Sequence, residues 1–276
     1  MRIKLLFALL LLPVCAQAHD TFTVSGRIVN EAGAPVEYVQ VGIPKIGVGT
    51  VSSLDGRFEI KVAADTLEFH HVSYQVGYYP VSGPEKDLLI VLKDTELPPA
   101  VFIGGNTKEK YLLHPGTRFL GAAGGIDFRE GGIMGWELGS VAEARRPFLV
   151  KDIIFSIQSN YIPGCVVSIN IYRIESEPKK FINVLHKPLY TNVAVSEKKQ
   201  DFDIQPEETI LLEPGRYFIS FEVVDYDMDT VSQDPKRMHL YTNLYFKSSY
   251  YRKSSLAKFQ YVPVNIGITV KGLEYR

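Results

Sequence analysis

The residues with the strongest claim to chemistry are three carboxylates at alternate positions, Asp225-Tyr-Asp227-Met-Asp229. A calcium loop opens this way, because a hard cation gathers roughly six to eight oxygens from closely spaced carboxylates and carbonyls. An EF-hand would continue with Gly at the sixth position and Glu at the twelfth, where this chain has Thr230 and Lys236. The motif therefore reads either as a structural calcium site in a sandwich loop or as a solvated loop between two strands. Zinc hydrolysis needs three fixed ligands and one open position. None of the histidines at 19, 70, 71, 114, 186 and 239 is followed by Glu three residues on, and His-Glu-x-x-His is absent. His70 and His71 are adjacent, and neighbours on a strand point to opposite faces, so one is expected buried and the other solvated. The seven glycines from Gly121 to Gly139 match no phosphate-cradling pattern and suit turns and close backbone approach. No Gly-x-Ser-x-Gly elbow offers a serine nucleophile.

Aromatic side chains offer binding rather than catalysis. Trp136, the single tryptophan, and Tyr241, Tyr245, Tyr250, Tyr251 and Tyr261 are candidates for a surface on which sugar rings or partner side chains stack. Tyr250-Tyr251-Arg252-Lys253 lies in a polar stretch and is expected to be the exposed part, which makes Trp136, Tyr250, Tyr251 and Arg252 the ligand-binding candidates. Burial in a core is the alternative reading of the same residues.

These side chains must be positioned by strands. The 276 residues are 46% hydrophobic, 22% charged and 12% aromatic, the balance of an ordinary globular protein long enough for two cores. Sixteen Tyr and fifteen Phe, with abundant Val and Ile, favour strand over helix. Residues 1–18 read as a secretory signal peptide, with Arg2 and Lys4 ahead of the apolar run Leu5–Leu12 and a small-residue site Ala16-Gln17-Ala18. Cys15 allows a lipoprotein reading, but Val14 stands where such signals carry a small residue. Cleavage removes Arg2 and Lys4 from the 30 basic residues, so 31 acidic ones leave a formal charge of −3. That balance argues against nucleic acid, which needs a concentrated basic face. The remaining thiol, Cys165, sits beside Val166-Val167 and reads as a small buried hydrophobe, so no disulfide framework follows.

Short strands follow one another through the first part of the mature chain: residues 21–29, 36–43, 50–51, 58–62, 67–72, 75–81 and 88–92. This density, about seven strands in about 75 residues, is that of a small sandwich. Asp55-Gly56 is expected to turn a hairpin into the strand from Phe58. Thr95-Glu-Leu-Pro-Pro-Ala100 and Gly104–Lys110 read as a linker over residues 95–114, with Val101–Ile103 a possible edge strand. Further strands are expected at 148–157, 166–174, 181–189, 200–204, 215–224, 240–246 and 264–270, with a marginal helix at 139–146. With no βαβ alternation, residues 115–276 suggest an antiparallel two-sheet sandwich of jelly-roll type.

Val24, Gly26, Gly33, Pro35, Val39, Val41, Gly49, Thr50, Asp55, Gly56 and Phe58 stand in an order that resembles the carboxypeptidase-regulatory-like module. The chain departs from that pattern at Ser52-Ser53 and at Ser73-Tyr74. The resemblance covers residues 19–94 and implies a transthyretin-like (prealbumin-like) β-sandwich without catalytic residues of its own. Gly135–Ser140, Ile153–Asn160 and Val167–Tyr172 resemble, more weakly, the second half of exported two-domain proteins that carry this module. Such modules also extend TonB-dependent outer-membrane receptors, which implies a partner at the envelope. The expected protein is thus all-β, exported to the periplasm or outer membrane of a Gram-negative cell, and without a transmembrane segment after cleavage. Its expected role is non-enzymatic binding or scaffolding, with glycan binding in a nutrient-uptake system and an unrecognised hydrolase as alternatives. No cofactor is expected, a structural calcium at Asp225, Asp227 and Asp229 being the alternative to a solvated loop.

Overall fold

The computed structural model describes residues 20–96, 104–114, 125–127, 132–176, 179–233, 237–243, 249–263 and 265–276. The signal-peptide expectation, Cys15, Tyr245 and the edge strand expected at 101–103 fall outside these residues. The fold is all-β, with several sheets whose strand pairs, among the described residues, are antiparallel except for Phe22–Asn30 with Glu85–Leu92.

The first part contains β1 (Phe22–Asn30), β2 (Gln40–Ile43), β3 (Val48–Val51), β4 (Arg57–Val62), β5 (Asp65–His70), β6 (Gly77–Val81) and β7 (Glu85–Leu92). They form two small sheets, β4-β1-β7 and β3-β2-β5-β6, with β1 and β7 parallel. Period-two patterning does the sorting: in β4, Phe58, Ile60 and Val62 are buried while Arg57, Glu59 and Lys61 face water. Val24, Ile28, Val41, Leu67 and Phe69 complete a core between the sheets, where the Phe58 and Phe69 rings meet edge to face at 5.5 Å.

Two local expectations are corrected. Asp55-Gly56 does turn the chain, with Gly56 at φ 78° and its N–H donating to Ser53 O at 2.9 Å. It is not a hairpin, because β3 pairs with β2 and β4 pairs with β1, so the turn carries the chain from one sheet to the other. The strand expected from Val36 starts only at Gln40, because Tyr38 takes the left-handed conformation, φ 51°.

The second part contains β8 (Thr107–Leu113), β9 (Gly125–Asp127), β10 (Glu137–Ala144), β11 (Phe148–Asn160), β12 (Cys165–Ser176), β13 (Lys179–Asn183), β14 (Leu189–Val193), β15 (Gln200–Ile204), β16 (Leu211–Leu212) and β17 (Gly215–Asp225). After helix α1 (Met228–Gln233) come β18 (Arg237–Leu240), β19 (Thr242–Asn243), β20 (Ser249–Arg252), β21 (Gln260–Val262), β22 (Asn265–Ile266) and β23 (Ile268–Tyr275). One sheet runs β13-β12-β17-β10-β20-β21 and the other β8-β23-β11-β18-β9, and the main core lies between them. Phe155 and Phe221, 4.1 Å apart between ring centroids, stand at its centre.

The supposed linker supplies β8, whose alternating charges, Lys108, Glu109 and Lys110, form the outer edge of a sheet against β23. Charged residues on an edge strand discourage pairing with other chains, so a polar run here is compatible with a strand. The marginal helix at 139–146 is part of β10, since Leu138, Ala142 and Ala144 pack on one face of that strand into the main core. Residues 181–189 divide between β13 and β14, both paired with β12. Among the described residues no helix is long and apolar enough to cross a membrane.

Candidate functional site

The site grows from strand register. Ser168 on β12 lies opposite Glu222 on β17, Glu222 opposite Glu137 on β10, and Glu137 opposite Arg252 on β20. One pleat over, Asn170, Ser220, Gly139 and Tyr250 make a parallel row on the same four strands. Because side chains alternate between faces, both rows look away from the main core, while Ile169, Phe221, Leu138 and Tyr251 look into it. Glycine at 139 is what lets the rows close. A Cβ there would lie 2.2 Å from Ile219 O and 2.6 Å from the Phe218 ring.

This outer face buries ions. Arg252 Nη2 donates to Glu137 Oε2 at 2.6 Å and stands 3.7 Å from Glu222 Oε1. Glu137 also accepts from Ser220 Oγ at 2.5 Å, and Ser255 Oγ donates to Glu222 at 2.8 Å. Asn170 Nδ2 bridges the two carboxylates at 3.2 and 3.4 Å. Two carboxylates thus share one guanidinium, and the nearer of them takes most of it. Burial, reinforced by the neighbouring Glu137 charge, pushes the Glu222 carboxyl up to about 7.

The first part of the chain makes contact with this face. Gln40 Nε2 donates to Glu222 Oε2 at 2.5 Å, Tyr38 Oη to Asp225 Oδ2 at 3.2 Å, and Ser73 Oγ to His186 O at 3.0 Å. Tyr38, Val51 and Val224 form a buried cluster with Met134, Val166 and Tyr190 against it, and the Tyr38 and Tyr190 rings meet edge to face at 5.0 Å. The left-handed backbone at Tyr38 costs about 1–3 kcal/mol in a residue of this kind, and its ring meets Tyr190 of the second part.

Beside these contacts a cleft of about 380 Å³ remains open between the two parts. Gln40, His70, His71 and Tyr74 form one wall; Asn170, Tyr172, Asn183, Tyr190 and Glu222 form the other. His71 Nδ1 accepts from Ser73 N–H at 3.2 Å, so in the neutral ring Nε2 carries the proton and faces the Tyr190 hydroxyl at 3.4 Å. Burial holds the His71 imidazole down at about 4, so it is neutral in ordinary buffers. Burial also pushes the Tyr190 phenol up, with Glu37 and Glu222 adding to the effect, so it stays protonated. The cleft is therefore lined by neutral hydroxyls, amides and aromatic side chains.

The aromatic candidates do not form one surface. Tyr250 and Arg252 are buried in the rows just described, whereas Trp136 and Tyr251 lie on the opposite side, 6.4 Å apart and packed against the main core. The expected exposure of the 250–253 stretch is corrected by strand periodicity, which sends Tyr250 and Arg252 to one face and Tyr251 to the other. The acidic run is dispersed as well. Asp225 accepts from Tyr38, Asp227 caps α1 by accepting from Thr230 N and Oγ1 at 3.1 and 2.6 Å, and Asp229 is exposed. Among the described residues no three His, Cys, Asp or Glu side chains come together to hold a metal ion. His70 is half-exposed and paired with Glu68 at 2.8 Å, and both histidines line the cleft because β5 ends at His70 and alternation stops there.

Glu137, Glu222 and Asn170 were not singled out from the sequence. The signal that could have found them is a lone carboxylate in an apolar strand, as in Phe218-Ile-Ser-Phe-Glu222-Val-Val, since a buried charge needs a partner.

No family model matches the chain, the carboxypeptidase-regulatory-like one included, and no curated protein matches it. Among solved structures it is similar to a DUF3823 family protein from Parabacteroides merdae at 9% identity and TM-score 0.21, over 89% of this chain and 98% of that one. It is similar to a DUF3823 family protein from Bacteroides ovatus at 8% identity and TM-score 0.22, over 74% and 97%. It is also similar to a structure of the Gt strain of infectious bursal disease virus at 9% identity and TM-score 0.31, over 93% and 65%. At such identities and scores these likenesses carry nothing about activity, and the site rests on its own geometry.

Proposed function

We propose that this is an exported, non-enzymatic binding protein of the bacterial envelope. In this reading it takes a sugar-sized polar ligand into the cleft between a carboxypeptidase-regulatory-like module and a jelly-roll-like sandwich. One observation carries the proposal: Tyr74, Tyr172 and Tyr190 together with Gln40, Asn170 and Asn183 line a single cleft of about 380 Å³. Apolar ring faces with a few fixed polar groups are what a pyranose needs, and the volume falls within the range of small-molecule sites. The test is calorimetry and glycan-array binding with the mature chain beside the Tyr190→Ala and Asn183→Ala variants. Saccharide binding that both substitutions weaken supports the reading, whereas a silent array together with silent calorimetry overturns it.

A hydrolase reading has one observation in its favour, the placing of Glu222 and His71 in the same cleft. Against it, the Glu222 oxygens already accept from Gln40, Asn170 and Ser255, and its neighbour Glu137 has no exposed surface. Turnover of chromogenic glycosides or esters that Glu222→Gln abolishes would establish that reading instead.

A further inference from the structure

The charges around the cleft do not balance. Glu222 is the carboxylate in its wall, and among the residues that line it there is neither Lys nor Arg. The nearest guanidinium, Arg252, lies behind the wall and is held by Glu137 at 2.6 Å against 3.7 Å to Glu222. Neutral His71 supplies no positive charge. Asp225 and Glu37 stand close enough to raise the Tyr38 phenol after burial has done so, while the Lys179 ammonium, 5.8 Å from the Phe181 ring of the wall, is held by the Tyr250 hydroxyl. Where a cation reaches the face of a wall tyrosine, the ring quadrupole adds to the attraction.

From this geometry we infer that the cleft selects a ligand carrying an ammonium group, drawn by the field of Glu222, whose own oxygens stay with Gln40, Asn170 and Ser255, with an amino sugar as the class that also suits the amides. The inference rests on the cleft being the ligand site proposed above. Without ligand, burial beside Glu137 favours the protonated form of Glu222. A bound ammonium would take that proton's place, much as a counter-ion does in a buried pair.

The experiment is calorimetry on the mature chain at about pH 7, with glucose, glucosamine, N-acetylglucosamine and tetramethylammonium as separate probes. Glucosamine is expected to bind roughly tenfold or more tightly than the two uncharged sugars, a margin in keeping with a desolvated cation against a carboxylate and ring faces. In Glu222→Gln the ratio of glucosamine to glucose affinity is expected to fall to about one, whatever happens to the two affinities themselves. Three sugars of equal affinity would overturn the charge inference and leave the binding proposal standing. Tetramethylammonium binding without any sugar binding would do the reverse, removing the saccharide reading and supporting the charge one. A glucosamine preference that survives in Glu222→Gln would place the recognition elsewhere and overturn the role given to this residue, and silence from all four probes would overturn both proposals. The contrast among the sugars is read on the wild-type chain, so it decides the matter even where the variant fails to fold.

Discussion

Burial acts on Glu222 and His71 in opposite senses, and the difference is measurable. The His71 imidazole is held at about 4, below its unfolded value of 6.5, so the stability it supports is complete above 6.5 and is lost as pH falls toward 4. Glu222 sits at about 7, above its unfolded value of 4.5, so its contribution is complete below 4.5 and is lost as pH rises through 7. Between about pH 4.5 and 6.5 the two slopes oppose each other, each amounting to about 3 kcal/mol over its range. Urea unfolding across this window should therefore show His71→Gln losing stability with rising pH relative to wild type, and Glu222→Gln gaining it; parallel profiles for all three chains would remove the assignment. The guanidinium between the carboxylates gives a second test. Arg252→Met leaves two buried carboxylates facing each other and should cost about 3–5 kcal/mol, whereas Glu137→Met with Arg252→Met should cost clearly less because it removes a pair. Equal costs in denaturant melts would mean that the ion cluster is not coupled.

At the scale of elements, the four strands β12, β17, β10 and β20 carry the site only because their registers align charged residues with small ones. Gly139→Ala tests that alignment. The added methyl would press on Ile219 O and the Phe218 ring, and overpacking of this sort costs about 1–3 kcal/mol, so the melting temperature should drop and the cleft affinity with it. An unchanged melt would mean the strands have room to spare. Most strands were legible in the sequence, since alternation at 58–62, 148–157, 166–174 and 215–224 reports directly which residues face a core. Pairing was not. Whether Asp55-Gly56 joins two partners or two sheets depends on strands distant in sequence, and a polar run such as 107–113 becomes a strand only because β23 offers a free edge. Alternation shows that Glu222 and Glu137 each sit on a strand, but only long-range register sets them opposite each other. The site therefore escaped the reading that located its strands, and the acidic run at 225–229, conspicuous in sequence, turned out to serve a junction and a helix cap.

On the scale of the whole molecule, the cleft exists because two separate cores are pressed together by a third, small one. The N-terminal core and the main core are separate clusters, and among the described residues Tyr38, Val51 and Val224, with Met134, Val166 and Tyr190, bridge the two parts in apolar contact, joined by Val72 of the first part packed against the main core. Hydrogen bonds from Gln40, Tyr38 and Ser73 then set the orientation. Interfaces of this kind between domains are modest in area, so a single charge placed in the apolar part should separate the modules without dissolving either one. Val51 is the position to use, because it is 4% exposed, belongs to β3 of the first module and faces Val224 of the second within the bridging cluster. In Val51→Asp the buried carboxylate would also stand near Asp225, which the same junction already holds. Calorimetric scanning should then resolve two unfolding transitions where the wild-type chain, with its modules coupled, shows them merged, and ligand binding in the cleft should be lost although circular dichroism retains the strand signal. A single transition with intact binding would mean that the modules are fixed by the polar contacts alone, and Gln40→Ala in the Val51→Asp background would then be the substitution that parts them.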